Sequence, residues 1–145
     1  MEEGGGPSVP AVAARIFEEM EEQQANSQGS APSQVSNHHL RALHFLFEKN
    51  FAKALEIVDS GGVRQIRGER SGREFFQVQG KRKGESYFCF PLTYCSCHAY
   101  FYDVLIKNEA HCCKHQLAAR VAHALRRSPV LVLEDVVVAK LLNSL

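Results

Sequence analysis

The sequence predicts an α+β domain in which a small antiparallel sheet of three strands packs on helices, with helical segments at both ends of the chain. Three observations predict this class. Apolar residues recur with a helical period before residue 60 and again after residue 114. Three short extended segments, bounded by turn residues, lie between these two regions. Finally, 145 residues with 45% hydrophobic side chains are enough to bury a core.

Residues 1–36 are predicted to combine an acidic tail, one amphipathic helix and a flexible linker. The helix spans 9–20, with Ser8 as a candidate N-cap and Pro10 in its first turn. Residues 23–36 are polar and contain Gly and Pro, which favours a linker. The helix could either close over the core or stay mobile until a partner docks on it. Its apolar face consists of Val9, Val12, Ala13, Ile16, Phe17 and Met20.

The main domain is predicted to occupy residues 37–127. A helical pattern starts near Asn37, is interrupted near Asn50, and ends at the pair Gly61 and Gly62. Extended segments follow, and their turn residues favour antiparallel connections. The expected strands are 63–67, 74–79 and 86–90, joined by turns at 69–72 and 81–84.

The C-terminal third of the chain is predicted to be helical. The aromatic-rich residues 98–107 suit a short helix, and the apolar period of 115–127 predicts a longer one. Residues 128–145 contain strand-forming side chains, but the acidic pair 134–135 favours a final helix with negative charge at its N-terminus. This last helix could cover the domain's own core or present a surface to a partner.

The chain shows no sign of export or membrane insertion. It contains no run of 18 or more apolar residues, so we expect no membrane-spanning segment. The N-terminal residues lack the basic start and apolar stretch of a signal peptide. We therefore expect a cytosolic or nuclear protein with reduced thiols, in which five cysteines between residues 89 and 113 act as metal ligands rather than disulfides.

Two short pairs of ligand-type residues carry the strongest chemical signal. Cys95 and Cys97 form a C-x-C pair, and Cys113 and His115 form a C-x-H pair after the intervening residues 98–112. Side chains two apart in an extended segment point to the same side, so each pair can converge on one ion. Three thiolates and one imidazole are typical of a closed, tetrahedral structural zinc site. The sequence therefore predicts one structural Zn²⁺ ion that joins the sheet to the helix after it.

The choice of ligands stays open at some positions. Cys112, His98 and His111 lie close enough in sequence to replace one of the four. Cys89 falls inside a strand pattern and is expected in the core. Lys114 and the nearby helix N-terminus are expected to stabilise the net negative charge of a three-thiolate zinc site. Surface or helix positions are expected for His38, His39, His44 and His123.

No arrangement of residues predicts catalysis. The chain contains no G-x-x-x-x-G-K phosphate loop, so we expect any nucleotide chemistry to belong to a partner. A nucleophilic pair built from Cys112 or Cys113 with His115 conflicts with the use of these thiolates as zinc ligands. We therefore expect a non-enzymatic module that has no small-molecule substrate.

Positive charge is concentrated in the same half of the chain as the cysteines. Residues 1–62 carry 4 basic and 9 acidic side chains, a net charge of −5, whereas residues 63–127 carry 12 and 5, a net charge of +7. This asymmetry weakly favours an anionic partner. Phe75, Phe76 and Tyr87 could either stack with bases or point into the core. The candidate nucleic-acid contacts are Arg64, Arg67, Arg70, Arg73, Lys81, Arg82 and Lys83.

The spacing Cys95-x-Cys97 followed by Cys113-x-His115 resembles the signature of the SWIM zinc finger. Ala118 extends it to C-x-H-x-x-A, which resembles the SWIM-domain subunit of the Shu recombination complex. The helix, hairpin and YFCFPLTYCSC segment before the finger are similar to that subfamily too. The resemblance covers residues 37–127, with the finger core at 86–118.

This resemblance implies a small nuclear protein that pairs with a RecA-like recombinase paralogue. The pair would promote assembly of the recombinase filament on single-stranded DNA during homologous recombination, and DNA contact by this chain would be secondary. Ala118 would pack beside the finger. Three alternatives stay open: an interaction adaptor unrelated to recombination, a stand-alone DNA-binding finger, and a metalloenzyme or thiol-redox protein.

Overall fold

A computed structural model describes residue 6 and residues 8–26, 37–107 and 111–143. The helices follow from the apolar periods of the sequence and the strands from its short β-branched and aromatic runs. The helices are α1 (Val9–Asn26), α2 (Asn37–Phe47), α3 (Lys49–Asp59), α4 (Lys114–Ala124) and α5 (Asp135–Asn143), with a π-helical segment at Tyr100–Ile106. The strands are β1 (Val63–Gly68), β2 (Glu74–Gln79), β3 (Ser86–Phe90), β4 (Tyr94–Cys95) and β5 (Val130–Leu133).

The strands form one mixed sheet in the order β4-β3-β2-β1-β5. Strands β1 to β4 pair antiparallel in sequence order, whereas β5 lies parallel to β1. The α+β class is therefore confirmed, but the prediction of a three-stranded antiparallel sheet is wrong. The three predicted strands are present, and the sheet gains a short strand at each edge.

The edge strand β5 lies in the segment after α4, where the sequence predicted only a helix. Residues 130–133 form β5 instead of the start of a C-terminal helix, with Gln65 opposite Val130 in the parallel register. The final helix begins at Asp135, which confirms the expected acidic residue at its N-terminus. The Asp135 carboxylate accepts hydrogen bonds from the Ser71 hydroxyl at 2.6 Å and the Arg70 backbone N–H at 3.1 Å. It packs so closely on Gly68 that a β-carbon there would overlap it.

Helices α1 to α4 enclose the main core on one face of the sheet, and α4 makes most of their contacts with the strands. Helix α4 lies between the sheet, α3 and α1, and it buries Leu117, Ala118 and Val121 completely. The opposite face carries a smaller cluster in which Val138 of α5 packs near Ile66 and Phe75. The C-terminal helix therefore closes over the domain's own sheet.

Helix α1 also belongs to the core. Most of its apolar face is buried, at Ala13, Ile16, Phe17 and Met20, and the helix continues beyond residue 20 to Asn26. The guanidinium of Arg120 lies 4.3 Å from the centre of the Phe17 ring. Residues 23–26 of the predicted linker are helical, while residues 27–36 lie outside the described residues. Of its two predicted roles, α1 takes the one in which it closes over the core.

Two further local predictions can be compared with the structure. The interruption expected near Asn50 falls at Glu48, whose backbone has a positive φ of 53° between α2 and α3. The short helix expected at 98–107 is the π-helical segment. No helix among the described residues has the length and apolar character needed to cross a bilayer.

Phe17→Ala tests whether α1 is an integral part of the domain. We expect the free energy of unfolding, measured by denaturant titration, to fall by about 3 kcal/mol, since the change opens a cavity under Arg120. The exposed neighbour Glu18→Ala serves as the control and should have little effect. Equal stability of both variants would show that α1 does not pack on the core.

Candidate metal centre

The first ligand pair lies at the edge of the sheet. Cys95 is the last residue of β4, and Cys97 follows two residues later. The main-chain bond from Ser96 N–H to the Phe88 carbonyl, 3.1 Å long, holds this segment against β3. The chain bends at Ser96 and Cys97, and both thiols are buried; the backbone N–H of Tyr100 donates to Cys97 Sγ at 3.3 Å.

The second pair begins α4. Cys113 is the N-cap: its sulfur accepts a hydrogen bond from the Gln116 N–H at 3.4 Å. In return, the Cys113 N–H donates to the side-chain oxygen of Gln116 at 3.0 Å, which completes a capping box. His115 lies in the first turn, with Nδ1 4.0 Å from Cys113 Sγ. The N-terminal end of the helix dipole stabilises negative charge on Cys113.

The two pairs meet at one point. The ligand atoms of Cys95, Cys97, Cys113 and His115 all lie within 4.8 Å of one another, and each residue is at most 5% exposed. Sulfur ligands about 2.3 Å from a tetrahedral zinc ion lie roughly 3.8 Å apart, so a small contraction suffices. The cluster therefore fits one structural zinc ion.

The electrostatics of the thiols favour a cation at this point. The pKa of Cys97 is held below its usual range by hydrogen bonds from the Cys113 and Cys95 thiols. Hydrogen bonds with the Cys95 and Cys97 thiols raise the pKa of Cys113 above its usual range. Three thiolates this close repel one another, so they ionise together only when a divalent cation offsets their charge.

The structure also distinguishes between the alternative ligands. Cys112 is buried but lies outside the four-residue cluster, and burial raises the pKa of its thiol to about 11. His98 and His111 are exposed and lie outside it as well. The pattern C-x-x-Q at residues 113–116, which can form a capping box, is a sequence signal that favours Cys113 over its neighbour.

Comparison with known proteins agrees with this geometry. A human protein named "Zinc finger SWIM domain-containing protein 7" is 34% identical over 128 residues, covering 88% of this chain and 86% of its own. The chain belongs to the SWIM-domain zinc-finger family. The mouse protein of the same name is 32% identical, with 88% and 80% covered. A homologue from Dictyostelium discoideum is 30% identical over 70% of this chain, and the match spans 65% of that relative's length.

No protein-family model matches the chain, and no solved structure matches it significantly.

Residues around the SWIM finger pack against its ligands and the helix that carries two of them. The His115 ring lies 4.6 Å from the Tyr87 ring, and the two planes meet at 42°. Ala118, one turn after His115, is completely buried, so a larger side chain would crowd the helix against its neighbours. Cys89 is also completely buried, opposite Cys95 in the ladder, as expected of a core residue.

The predicted nucleic-acid contacts are split between two ends of the hairpin. Arg64 and the loop 81–83 line a groove at one end, whereas Arg70 and Arg73 lie in or beside the β1–β2 turn at the other. Arg67 forms an ion pair with Glu74, 3.1 Å between Nε and Oε1.

The nearby aromatic residues do not form a stacking surface. Phe75 and Phe76 are buried, and Tyr87 packs on His115. Of the two predicted roles for these aromatic side chains, packing in the protein interior is the one observed, rather than stacking with bases.

One buried histidine was not anticipated. His39 was expected at a surface or helix position, and it does lie in α2, but only 3% of it is exposed. Its Nε2 lies 2.9 Å from a carboxylate oxygen of Glu19 in α1. Nothing in the local sequence distinguishes His39 from its exposed neighbour His38, since the burial depends on how α1 packs on α2.

Cys113→Ser and Cys112→Ser together test the ligand set. We expect wild-type protein and Cys112→Ser to retain one zinc ion per chain, measured by mass spectrometry under native conditions, because Cys112 lies outside the cluster. Cys113→Ser should lose the ion and melt at a lower temperature, since the metal's binding free energy contributes to folding. The reverse pattern would make Cys112 the ligand.

Proposed function

We propose that this chain is the non-enzymatic SWIM subunit of a Shu-like complex in the nucleus. It pairs with a RecA-like recombinase paralogue and promotes assembly of the recombinase filament during homologous recombination and DNA repair. The observation that carries the proposal is the buried Cys3His cluster in a chain of the SWIM-domain family. The resemblance of its extended motif, which includes Ala118, to the Shu subunit supplies the recombination role.

A structural role for the metal is supported by the ligand set. Four side chains complete a tetrahedron, so a zinc ion held here keeps no coordination position for water or substrate. Burial of all four ligands keeps solvent from the site. The ion would therefore stabilise a surface rather than catalyse a reaction, and the protein would act through the partners that this surface contacts.

The π-helical segment is the part of that surface that best suits a protein partner. It lies between the two ligand pairs, so the zinc site anchors the chain on both sides of it. Its side chains Phe101, Leu105 and Ile106 are 53%, 57% and 58% exposed. Apolar and aromatic side chains grouped on a surface are typical of protein interfaces. We assign this face to the RecA-like partner.

Co-purification of tagged full-length protein from nuclear extract tests the pairing. We expect a RecA-like ATPase among the retained proteins. The double variant Phe101→Ser with Leu105→Ser should lower recovery of this ATPase at least about tenfold, because anchor side chains that become buried contribute most of an interface's affinity. Phe45→Ser, a change at an aromatic residue of α2 that is 74% exposed, is the control. Each variant should retain its zinc.

The absence of any RecA-like ATPase from wild-type co-purification would contradict the proposed role. Equal recovery with the double variant and the Phe45→Ser control would instead move the interface elsewhere on the protein.

A secondary contact with single-stranded DNA is favoured by the groove beside the loop 80–85. This groove has a volume of about 750 Å³ and is lined by Arg64, Lys81, Arg82 and Lys83 together with several glycines. The three cationic side chains of the loop are exposed, long and flexible, so they can reach and bind phosphate oxygens. Because Phe75 and Phe76 are buried and Tyr87 packs on His115, we expect binding through the backbone without sequence preference.

Salt dependence tests this contact. Replacing Lys81, Arg82 and Lys83 with Ala should weaken binding to an oligothymidylate and reduce the slope of log K against log salt by about 0.7 for each lost phosphate contact. The double variant Arg70→Ala with Arg73→Ala, at the other end of the hairpin, should change little. Fluorescence anisotropy measures both. An unchanged slope in the triple variant would exclude the groove as the contact.

A further inference from the structure

A second cluster of metal-ligating side chains lies where α1 meets α2, in a region that the zinc finger does not use. It consists of Glu19 from α1 with His38 and His39 from the start of α2. One ligand atom from each residue lies within 4.8 Å of the other two. Two helices that are separated in the chain by residues 27–36 thus bring a carboxylate and two imidazoles together.

His39 supplies an independent observation. The side chain is 97% buried, since 3% is exposed, yet its Nδ1 has no hydrogen-bond partner, and it is the one buried side-chain atom of this kind among the described residues. Its Nε2 lies 2.9 Å from Glu19 Oε1, so in the neutral form one ring nitrogen donates to the carboxylate while the other keeps an unused lone pair. Burying such a group costs free energy unless something binds it.

The other two residues make the cluster accessible and supply its carboxylate, whose second oxygen lies 3.5 Å from Arg15 Nε. The Glu19 side chain is 46% exposed, and its hydrogen bond with His39 lowers the pKa of its carboxyl, which keeps it ionised. His38 is exposed, and its ring centre lies 4.2 Å from that of His39. An ion can therefore reach the cluster from solvent.

We propose that Glu19, His38 and His39 bind a second divalent transition-metal ion, such as Zn²⁺, through one carboxylate oxygen and two imidazole nitrogens. Imidazole with carboxylate selects Zn²⁺, Co²⁺, Ni²⁺ or Cu²⁺ over Mg²⁺ and Ca²⁺, which prefer oxygen ligands. Bound there, the ion bridges α1 and α2. Affinity is weaker than at the finger, because three ligands replace four and the N-terminus of α2 disfavours positive charge.

Titration of the full-length protein, already loaded with one Zn²⁺ in the finger, tests the site. We expect calorimetry with Co²⁺ to show one further equivalent, and absorption spectra to show the weak bands of nitrogen- and oxygen-bound cobalt. Thiolate charge-transfer absorption would instead report exchange into the finger and count against a second site. Mg²⁺ and Ca²⁺ should not compete for the second equivalent.

Two variants and two controls locate the ion. His38→Ala and Glu19→Gln should each weaken the second equivalent at least about tenfold, since even the loss of a residue that only supports a ligand has that effect. His44→Ala on the same helix and Glu18→Gln beside the cluster should bind it as wild-type protein does. The proposal is overturned if the zinc-loaded protein binds no further ion. It is also overturned if His38→Ala and Glu19→Gln bind a second ion as tightly as wild-type protein.

Discussion

Attraction between one divalent cation and three crowded thiolates is the interaction on which one side of this domain depends. Strand β4 has two residues and two ladder positions on β3, which is too little pairing to be stable alone. It is held because Cys95 at its end shares an ion with Cys113 and His115 of α4. The zinc site thus fastens the sheet edge to a helix whose buried face the core already fixes.

Helix α4 couples the metal centre to the rest of the molecule. Its first turn carries the ligands and its capping box, and its body contributes small buried residues such as Ala118 and Ala122 that allow close approach to the sheet, α3 and α1. Because interiors are densely packed, a shift of α4 that misplaces His115 also disturbs these contacts. Core packing therefore orients two of the four ligands, while hydrogen bonds to β3 orient the other two.

Signals that are local in the chain account for the parts of this structure that the sequence predicts well. Strands β2 and β3 occur at the predicted residues, since turn chemistry specifies antiparallel neighbours, and the ligand pairs follow from their two-residue spacing. Strand β5 could not be predicted in this way, because its register joins Gln65 to Val130 and its four residues suit a helix as well. Burial of His39 likewise depends on a contact between two helices.

Because the π-helical segment lies between the two ligand pairs, the conformation of the proposed partner surface depends on the metal. A π-helix is rare and less favourable than an α-helix, so its neighbours must hold it in place. Tyr100 does so at one end: its N–H donates to Cys97 Sγ and its hydroxyl to the Thr93 carbonyl. The first contact is with a zinc ligand and the second with the residue before β4, so loss of zinc would weaken the attachment of this end. If the proposed partner binds the ordered segment, its binding is linked to the ion: zinc would raise the partner's affinity, and by reciprocity the partner would raise the affinity for zinc by the same factor.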